Sequence, residues 1–313
     1  MKILFFLKTN QNLKFQNLGG IETLNKNLYE YYKKKYNVQI KYKLSKEDKK
    51  KNWDIIISSN NFDIFDKVKS KRKILWIHNK INLDKILRKD NFLNYLKFNY
   101  EVVFVSNFLK RKIKIFPFIK KLVIHNFLSN IFKNLKITKN RKKIFVYSVH
   151  RVSDLRQIIS VWRSSKYINF NKIKLLIFGK SIKSFSYNEV NNLKKNNIIF
   201  FGNVNKNTLI KYYTKSLGMF CPGKDETFCL NAIEGLACGL PIISYDNTVL
   251  NEVVNKNNHF IMKKKQDIEK IIRQIINLNN NKRKKLLLNC NLNSQQYLLN
   301  KIIYKWNKVI FNE

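Results

Sequence analysis

Acidic residues are scarce in this 313-residue chain: 20 Asp and Glu stand against 62 Lys and Arg, a formal net charge of +42. Only nine of the basic residues are arginine. A surface this basic attracts polyanions such as anionic membranes, charged glycans or nucleic acid. Asn, Lys and Ile dominate throughout, as AT-rich codons produce, which accounts for part of the lysine but not for the shortage of acids. Long apolar runs are also missing. None approaches the roughly 18 residues of a spanning helix, so any membrane contact would be peripheral. The opening MKILFFLKTN holds an apolar run of only five residues, too short for a signal-peptide core, and reads as a buried strand. Four cysteines, at 221, 229, 238 and 290, lack the close pairs of a zinc site or a disulfide framework, and read as free thiols in a reducing compartment. No G-x-x-x-x-G-K-S/T loop occurs, which argues against an ordinary ATPase. No pair of carboxylates sits at D-x-D spacing beside a strand, and there is no internal repeat.

What remains is an alternation of short apolar blocks with helical segments. In the first part the blocks are Ile3–Leu7, a weaker one near Val38–Tyr42, Asp54–Ser58, Lys73–Ile77, Glu101–Val105 and Leu122–Ile124; a helix follows Gly19-Gly20 from about Ile21. The polar stretch Phe132–Lys143 reads as a linker. A second set follows at Lys143–Tyr147, Lys174–Phe178, Ile198–Phe201, Gly218–Phe220 and Pro241–Ser244, with a helical tail from about Gln266. Strands alternating with helices specify parallel sheets covered on both faces. The expected architecture is two Rossmann-like α/β domains facing a cleft: residues 1–132, and 143–290 for the nucleotide-binding side. Ligands in such sheets bind at the carboxyl ends of the strands.

The segment Cys221–Pro241, CPGKDETFCLNAIEGLACGLP, carries the most chemistry. Glu226 follows a Pro-Gly-Lys-Asp turn, and Glu234 lies eight residues on, within a helix. One carboxylate can accept from two hydroxyls of a ribose, and two buried acids without ligands would be costly. The small residues Gly235, Ala237 and Gly239 allow close approach. Backbone N–H groups around Thr227, Phe228 and Cys229 are placed to meet phosphate or sugar oxygens. Arg151 and Arg156 flank the start of the first helix in the second domain, where a diphosphate clamp belongs. His78 ends the strand KILWI and could orient a sugar hydroxyl or stabilise developing charge. Gly20 opens the first helix, where a bare backbone can approach a ligand; Glu22 in the same turn suits the helix dipole. His125 reads as structural. The aromatics interleaved with lysines fall inside strands and helices, which favours core over a nucleic-acid platform.

At these residues the chain resembles family 4 retaining glycosyltransferases of the GT-B fold. PGKDETFCLNAIEGLACGLPII fits their E-x7-E motif, and GGIETLNKNLYEYY, LWIHNK, VVFVSNFLKRKI, KLVIHN, KLLIFG and FFGNVNKNTLIKYYTKS are similar to further family segments, covering about residues 1–310. The resemblance implies transfer from a nucleoside-diphosphate sugar (UDP or GDP) with retention of configuration, with no bound cofactor or metal. It implies that Glu226 and His78 are catalytic, and that Gly20, Arg151, Arg156, Thr227, Phe228, Cys229 and Glu234 bind the donor. The C-terminal helix, about 295–313, would cross back to complete the first domain. Departures are the missing glycines beside Arg151 and Arg156; an alternative placement puts Ser153 where some relatives carry arginine. The implied acceptor is a glycan or lipid-linked glycan in surface polysaccharide or lipopolysaccharide synthesis. The implied location is cytoplasmic, with peripheral contact at the inner face of an anionic membrane and no specific nucleic acid. The alternative is a basic nucleic-acid- or polyanion-binding protein on a catalytically degenerate GT-B scaffold, in which the two glutamates would be dispensable.

Overall fold

A computed structural model describes residues 1–8, 19–80, 100–113, 119–148 and 152–312. The chain forms two compact units. One comprises Met1–Ser129 with Leu299–Glu313; the other comprises Asn130–Leu298.

The first unit is built on six parallel strands: β1 (Lys2–Leu7), β2 (Asn37–Lys41), β3 (Trp53–Ser59), β4 (Ser70–Ile77), β5 (Glu101–Phe104) and β6 (Lys121–Val123). Their order in the sheet is β2-β1-β3-β4-β5-β6. The central strands read as unbroken apolar runs, FFL, IIIS and ILWI, as strands covered on both faces must. The final helix, Leu299–Phe311, belongs to this unit. Its Trp306 is fully buried against Trp76 of β4, ring centroids 4.7 Å apart and edge-on. Arg72 of β4 donates to the Ile310 carbonyl at 2.8 Å and to that of Val309 at 2.6 Å, satisfying acceptors that a helix end leaves open. The same guanidinium pairs with Glu101, and the Tyr32 hydroxyl donates to Asn307 at 2.9 Å. The return of the last helix to the first unit is thus fixed by named contacts.

The second unit has β7 (Ile144–Tyr147), β8 (Lys174–Phe178), β9 (Ile198–Gly202), β10 (Gly218–Phe220), β11 (Ile242–Tyr245) and β12 (His259–Met262). All its pairings are parallel, in the order β12-β11-β10-β7-β8-β9. Counted from β9 this is the doubly wound Rossmann order, in which the strand order reverses between β7 and β10. The edge strand β12 is not among the blocks read from the sequence. It is four residues long, flanked by NKNN and KKK, with Ile261 exposed, so neither length nor alternation announces it.

The segment read as a linker is anchored in the second unit. Phe132 is fully buried. The Arg141 guanidinium donates to the carbonyls of Tyr213 at 2.8 Å, Ser216 at 3.1 Å and Cys238 at 2.8 Å, and burial lowers its pKa to about 10. Gly239 lies at φ +80°, and a Cβ there would come within 2.9 Å of that guanidinium and 3.2 Å of the Leu287 carbonyl. The Gly-Leu-Pro exit of the motif helix is therefore required by both backbone sign and space.

Candidate donor site

The reversal between β7 and β10 opens a crevice at the carboxyl ends of those strands, where open α/β sheets bind ligands. The Cys221–Cys229 loop leaves β10 at that point and leads into the buried helix Leu230–Ala237. The two sides of the crevice are tied together: the Asn231 side-chain amide donates to the carbonyl of Ser148, the residue after β7. Gly235 lets the helix lie against β10, since a Cβ there would meet Met219 Sδ at 2.6 Å.

Cys229 sits at the N-cap of this helix in the left-handed region, φ 64° and ψ 73°, without a side-chain cap. That conformation is costly for a residue with a Cβ, and such strain concentrates where backbone is aimed at a ligand. The thiol is not the reason. Hydrogen bonding with Cys221, with burial, raises the Cys229 pKa well above the ordinary thiol value. All four cysteines are free and buried. Phe228 is buried edge-on to Tyr297, centroids 5.6 Å apart, which pins the loop just before the helix. Glu226 and Thr227 are half-buried, and Lys224 and Asp225 are exposed.

Glu234 is buried on a helix whose inward residues are otherwise apolar. Its Oε1 pairs with Lys206 Nζ at 2.5 Å. Lys206 opens the helix Lys206–Tyr213 that follows β9, capped by Asn205, whose side chain accepts from the Thr208 N–H at 2.9 Å. The other oxygen, Oε2, is buried and has no hydrogen-bond partner among the described residues. An open acceptor on a buried, oriented carboxylate is what a hydroxyl-bearing ligand requires. Lys206 was not anticipated from sequence. It is one of 53 lysines, and only the strand order brings it to Glu234.

Arg156 does not turn toward this loop. It extends over the Phe185 ring at 4.7 Å, donates to the Ser184 carbonyl at 3.2 Å, and lies 3.5 Å from Glu189. Arg151 and the neighbouring His150 lie outside the described residues. In the first unit, Gly20 begins the helix Gly20–Tyr32. A Cβ on Gly19 would meet Glu22 Oε2 at 2.5 Å, so the Glu22 carboxylate folds over the helix start. His78 follows β4 and is buried; its backbone N–H donates to Asn60 Oδ1 at 2.7 Å, and its ring centroid lies 4.2 Å from that of Trp76. Burial lowers the His78 pKa to about 3, leaving a neutral imidazole.

Residues 128–296 match the model of the family described as glycosyl transferases group 1, just over half of the chain. The chain belongs to this family. A relative from Klebsiella pneumoniae, described as an uncharacterized 41.2 kDa protein in the cps region, is 23% identical over 226 residues. That alignment covers 71% of this chain and 61% of the relative, so the chain spans about three fifths of the relative's length. Among solved structures, Anabaena Alr3699/HepE in complex with UDP and glucose superposes with a TM-score of 0.70 at 14% identity, covering 100% of both chains. The lipopolysaccharide outer core galactosyltransferase WaaB gives 0.69 at 15% identity, covering 100% of this chain and 99% of that one. A larger structural neighbour, by contrast, is covered over 55% of its length. These likenesses establish the fold as GT-B: two Rossmann-like units with the last helix returned to the first.

His78 provides a direct check on the burial at the end of β4. Its folded pKa lies below the unfolded value of about 6.5, so between these values the unfolded state binds the extra proton. This residue's contribution therefore favours folding above about pH 6.5 and is lost progressively as pH falls toward about 3. Its ring resonances should hold the neutral-imidazole positions from about pH 8 to about pH 5. A midpoint near 6.5 would contradict the burial described.

Proposed function

We propose that this chain is a retaining glycosyltransferase that moves a sugar from a nucleoside-diphosphate sugar to a glycan or lipid-linked acceptor. The observation that carries the proposal is Glu234. It is buried at the β7–β10 crevice of a group 1 member, with one oxygen held by Lys206 and the other open, eight residues beyond Glu226. In this reading Glu234 accepts from the ribose hydroxyls. The backbone of Thr227, Phe228 and Cys229, at the uncapped start of the helix, meets the diphosphate. Glu226 contacts the donor sugar beside the reacting carbon. Arg151 and Arg156 are the basic candidates for the diphosphate. Arg156 would have to leave Glu189 to take part, which favours Arg151. The neutral His78 orients a sugar hydroxyl, and Gly20 gives the ligand access to the first helix start.

The transfer needs no cofactor or metal in this reading. The acceptor oxygen bonds to the anomeric carbon on the face from which the β-phosphate departs, and the phosphate oxygen takes the acceptor's proton. UDP is the favoured nucleotide, since HepE was solved with UDP and glucose. A role in surface polysaccharide or lipopolysaccharide synthesis is favoured by the family, by the likeness to the outer core galactosyltransferase WaaB and by the relative's cps region. Among the described residues no helix is long and apolar enough to cross a membrane. With a net charge of +42, the chain is proposed to act in the cytoplasm, held electrostatically at an anionic membrane face. Purely electrostatic capture of a polyanion on an inactive scaffold is the competing reading, and it makes no use of Glu226 or Glu234.

Glu226 is half-buried, so Glu226→Gln should fold normally, bind donor and lose transfer by about a hundred- to a thousandfold, on the scale of other charge-stabilising groups. Parent-level transfer by the folded variant would overturn its role. Sedimentation with anionic vesicles should fall steeply as salt rises from about 0.05 M to about 0.5 M, where screening shortens the reach of surface charge. Salt-insensitive binding, or none, would overturn electrostatic anchoring.

A further inference from the structure

Strands β3 and β4 lie side by side and run in register to their ends, Ser59 opposite Trp76. The next residue after β3, Asn60, donates its N–H to the Trp76 carbonyl at 2.9 Å, so the ladder continues one bond further. In a parallel ladder a residue that donates in this way also accepts, through its own main-chain carbonyl, from the N–H two residues beyond its acceptor. That N–H belongs to His78. It goes instead to the side-chain carbonyl of Asn60, Oδ1, at 2.7 Å.

The exchange of one carbonyl for the other has a backbone cause. Asn60 lies at φ 56°, in the left-handed region, where the chain leaves the extended conformation of a strand. Asparagine is among the few residues with a Cβ that take this conformation readily. The same Oδ1 accepts from the Asn79 N–H at 3.2 Å. One side chain thus holds both peptide N–H groups that follow β4. The turn carrying His78 cannot shift without breaking these bonds. Asn60 is itself exposed, so its side chain shapes the turn without filling the core.

The residues before Asn60 are anchored as well. The Asn25 side-chain amide, on the helix Gly20–Tyr32, donates to Ser59 Oγ at 2.9 Å and to the Ile21 carbonyl at 2.9 Å. Asn25 and Ser59 are both buried. The Ser58 hydroxyl donates to the Asn61 carbonyl, closing the turn around Asn60. Hydrogen bonds between buried side chains are strengthened by the low local dielectric and favour one arrangement. The helix start at Gly20, the end of β3 and the end of β4 are therefore tied together through Asn25, Ser59 and Asn60.

We propose that Asn60 is a positioning residue for His78. Trp76 packs against the imidazole ring, and Asn60 sets the direction in which the chain leaves β4 and so where that ring points. A misplacement of about 1 Å in a group that orients a reacting hydroxyl costs on the order of a hundredfold in rate. The part His78 plays in transfer rests on the glycosyl-transfer reading; the hold of Asn60 on the turn does not.

Asn60→Gly keeps the left-handed backbone and removes the acceptor; Asn60→Asp keeps both. Turnover is read as release of nucleoside diphosphate from a panel of UDP- and GDP-hexoses, with water as the sugar acceptor. The measurements are made at about pH 8, well above the His78 pKa. The four histidines of the chain are resolved by carbon-13 labelling, and His78 is assigned with H78A. N60G should lower kcat at least about tenfold with the donor KM within about twofold, because the donor contacts lie in the second unit. It should also move the His78 ring resonances and speed hydrogen exchange at the His78 amide at least about tenfold. N60D should return all three to near parent values. Parent-level kcat in N60G, lost turnover with His78 unmoved, or an N60D that restores amide protection without turnover overturns the proposal. Parent-level turnover by folded H78A removes His78 from the reaction and overturns it too. A parent that turns over no donor defeats the glycosyl-transfer reading itself. Amide exchange and ring resonances then decide the hold of Asn60 on the turn, and parent-like values in N60G overturn it.

Discussion

A carboxylate held inside an otherwise apolar helix is the constraint around which the second unit is arranged. Burying an ionised carboxylate without a partner costs several kcal/mol, and an ion pair offsets this only with good geometry. Lys206 meets one oxygen of Glu234 from the helix after β9. That contact exists because β9, β8, β7 and β10 lie side by side in this order. The helix bearing Glu234 reaches its place because Gly235 lets it touch β10, and Gly239 and Arg141 close its far end. Sheet order, helix packing and the open Oε2 are thus one arrangement.

The first unit is stabilised differently. Its central strands are buried runs, and its sheet is completed by a helix from the far end of the chain, held by Trp306 against Trp76 and by Arg72 on the helix's last carbonyls. His78 lies two residues from Trp76 and its ring touches that indole. The packing that secures the C-terminal helix therefore also sets the environment of the candidate active-site histidine. This links stability at the end of the chain to the surroundings of His78 at the end of β4.

Most of the framework was legible in the sequence because buried parallel strands leave unbroken apolar blocks: IIIS, ILWI, EVVFV and KLLIF each fall within an observed strand or its border. The strand His259–Met262 was not, because a four-residue edge strand between polar runs carries no such signal. The segment Phe132–Lys143 looked like a linker by composition. A charged residue there, Arg141, instead serves as a buried donor to main-chain carbonyls, a role charge alone does not reveal. Glu226 and Glu234 were legible because their spacing and flanking small residues form a motif. Lys206 was hidden by the abundance of lysine and emerges only when strand order brings distant residues together.

The central claim is that Glu234 receives the ribose of a nucleotide-sugar. Calorimetric titration of the purified chain with a panel of nucleoside-diphosphate sugars, beside Glu234→Ala, tests it most directly. The account predicts that one donor binds in the micromolar range, about −8 kcal/mol, and that the folded variant loses at least about tenfold in affinity. Equal binding by parent and variant, or binding of no donor by a folded parent, would contradict it.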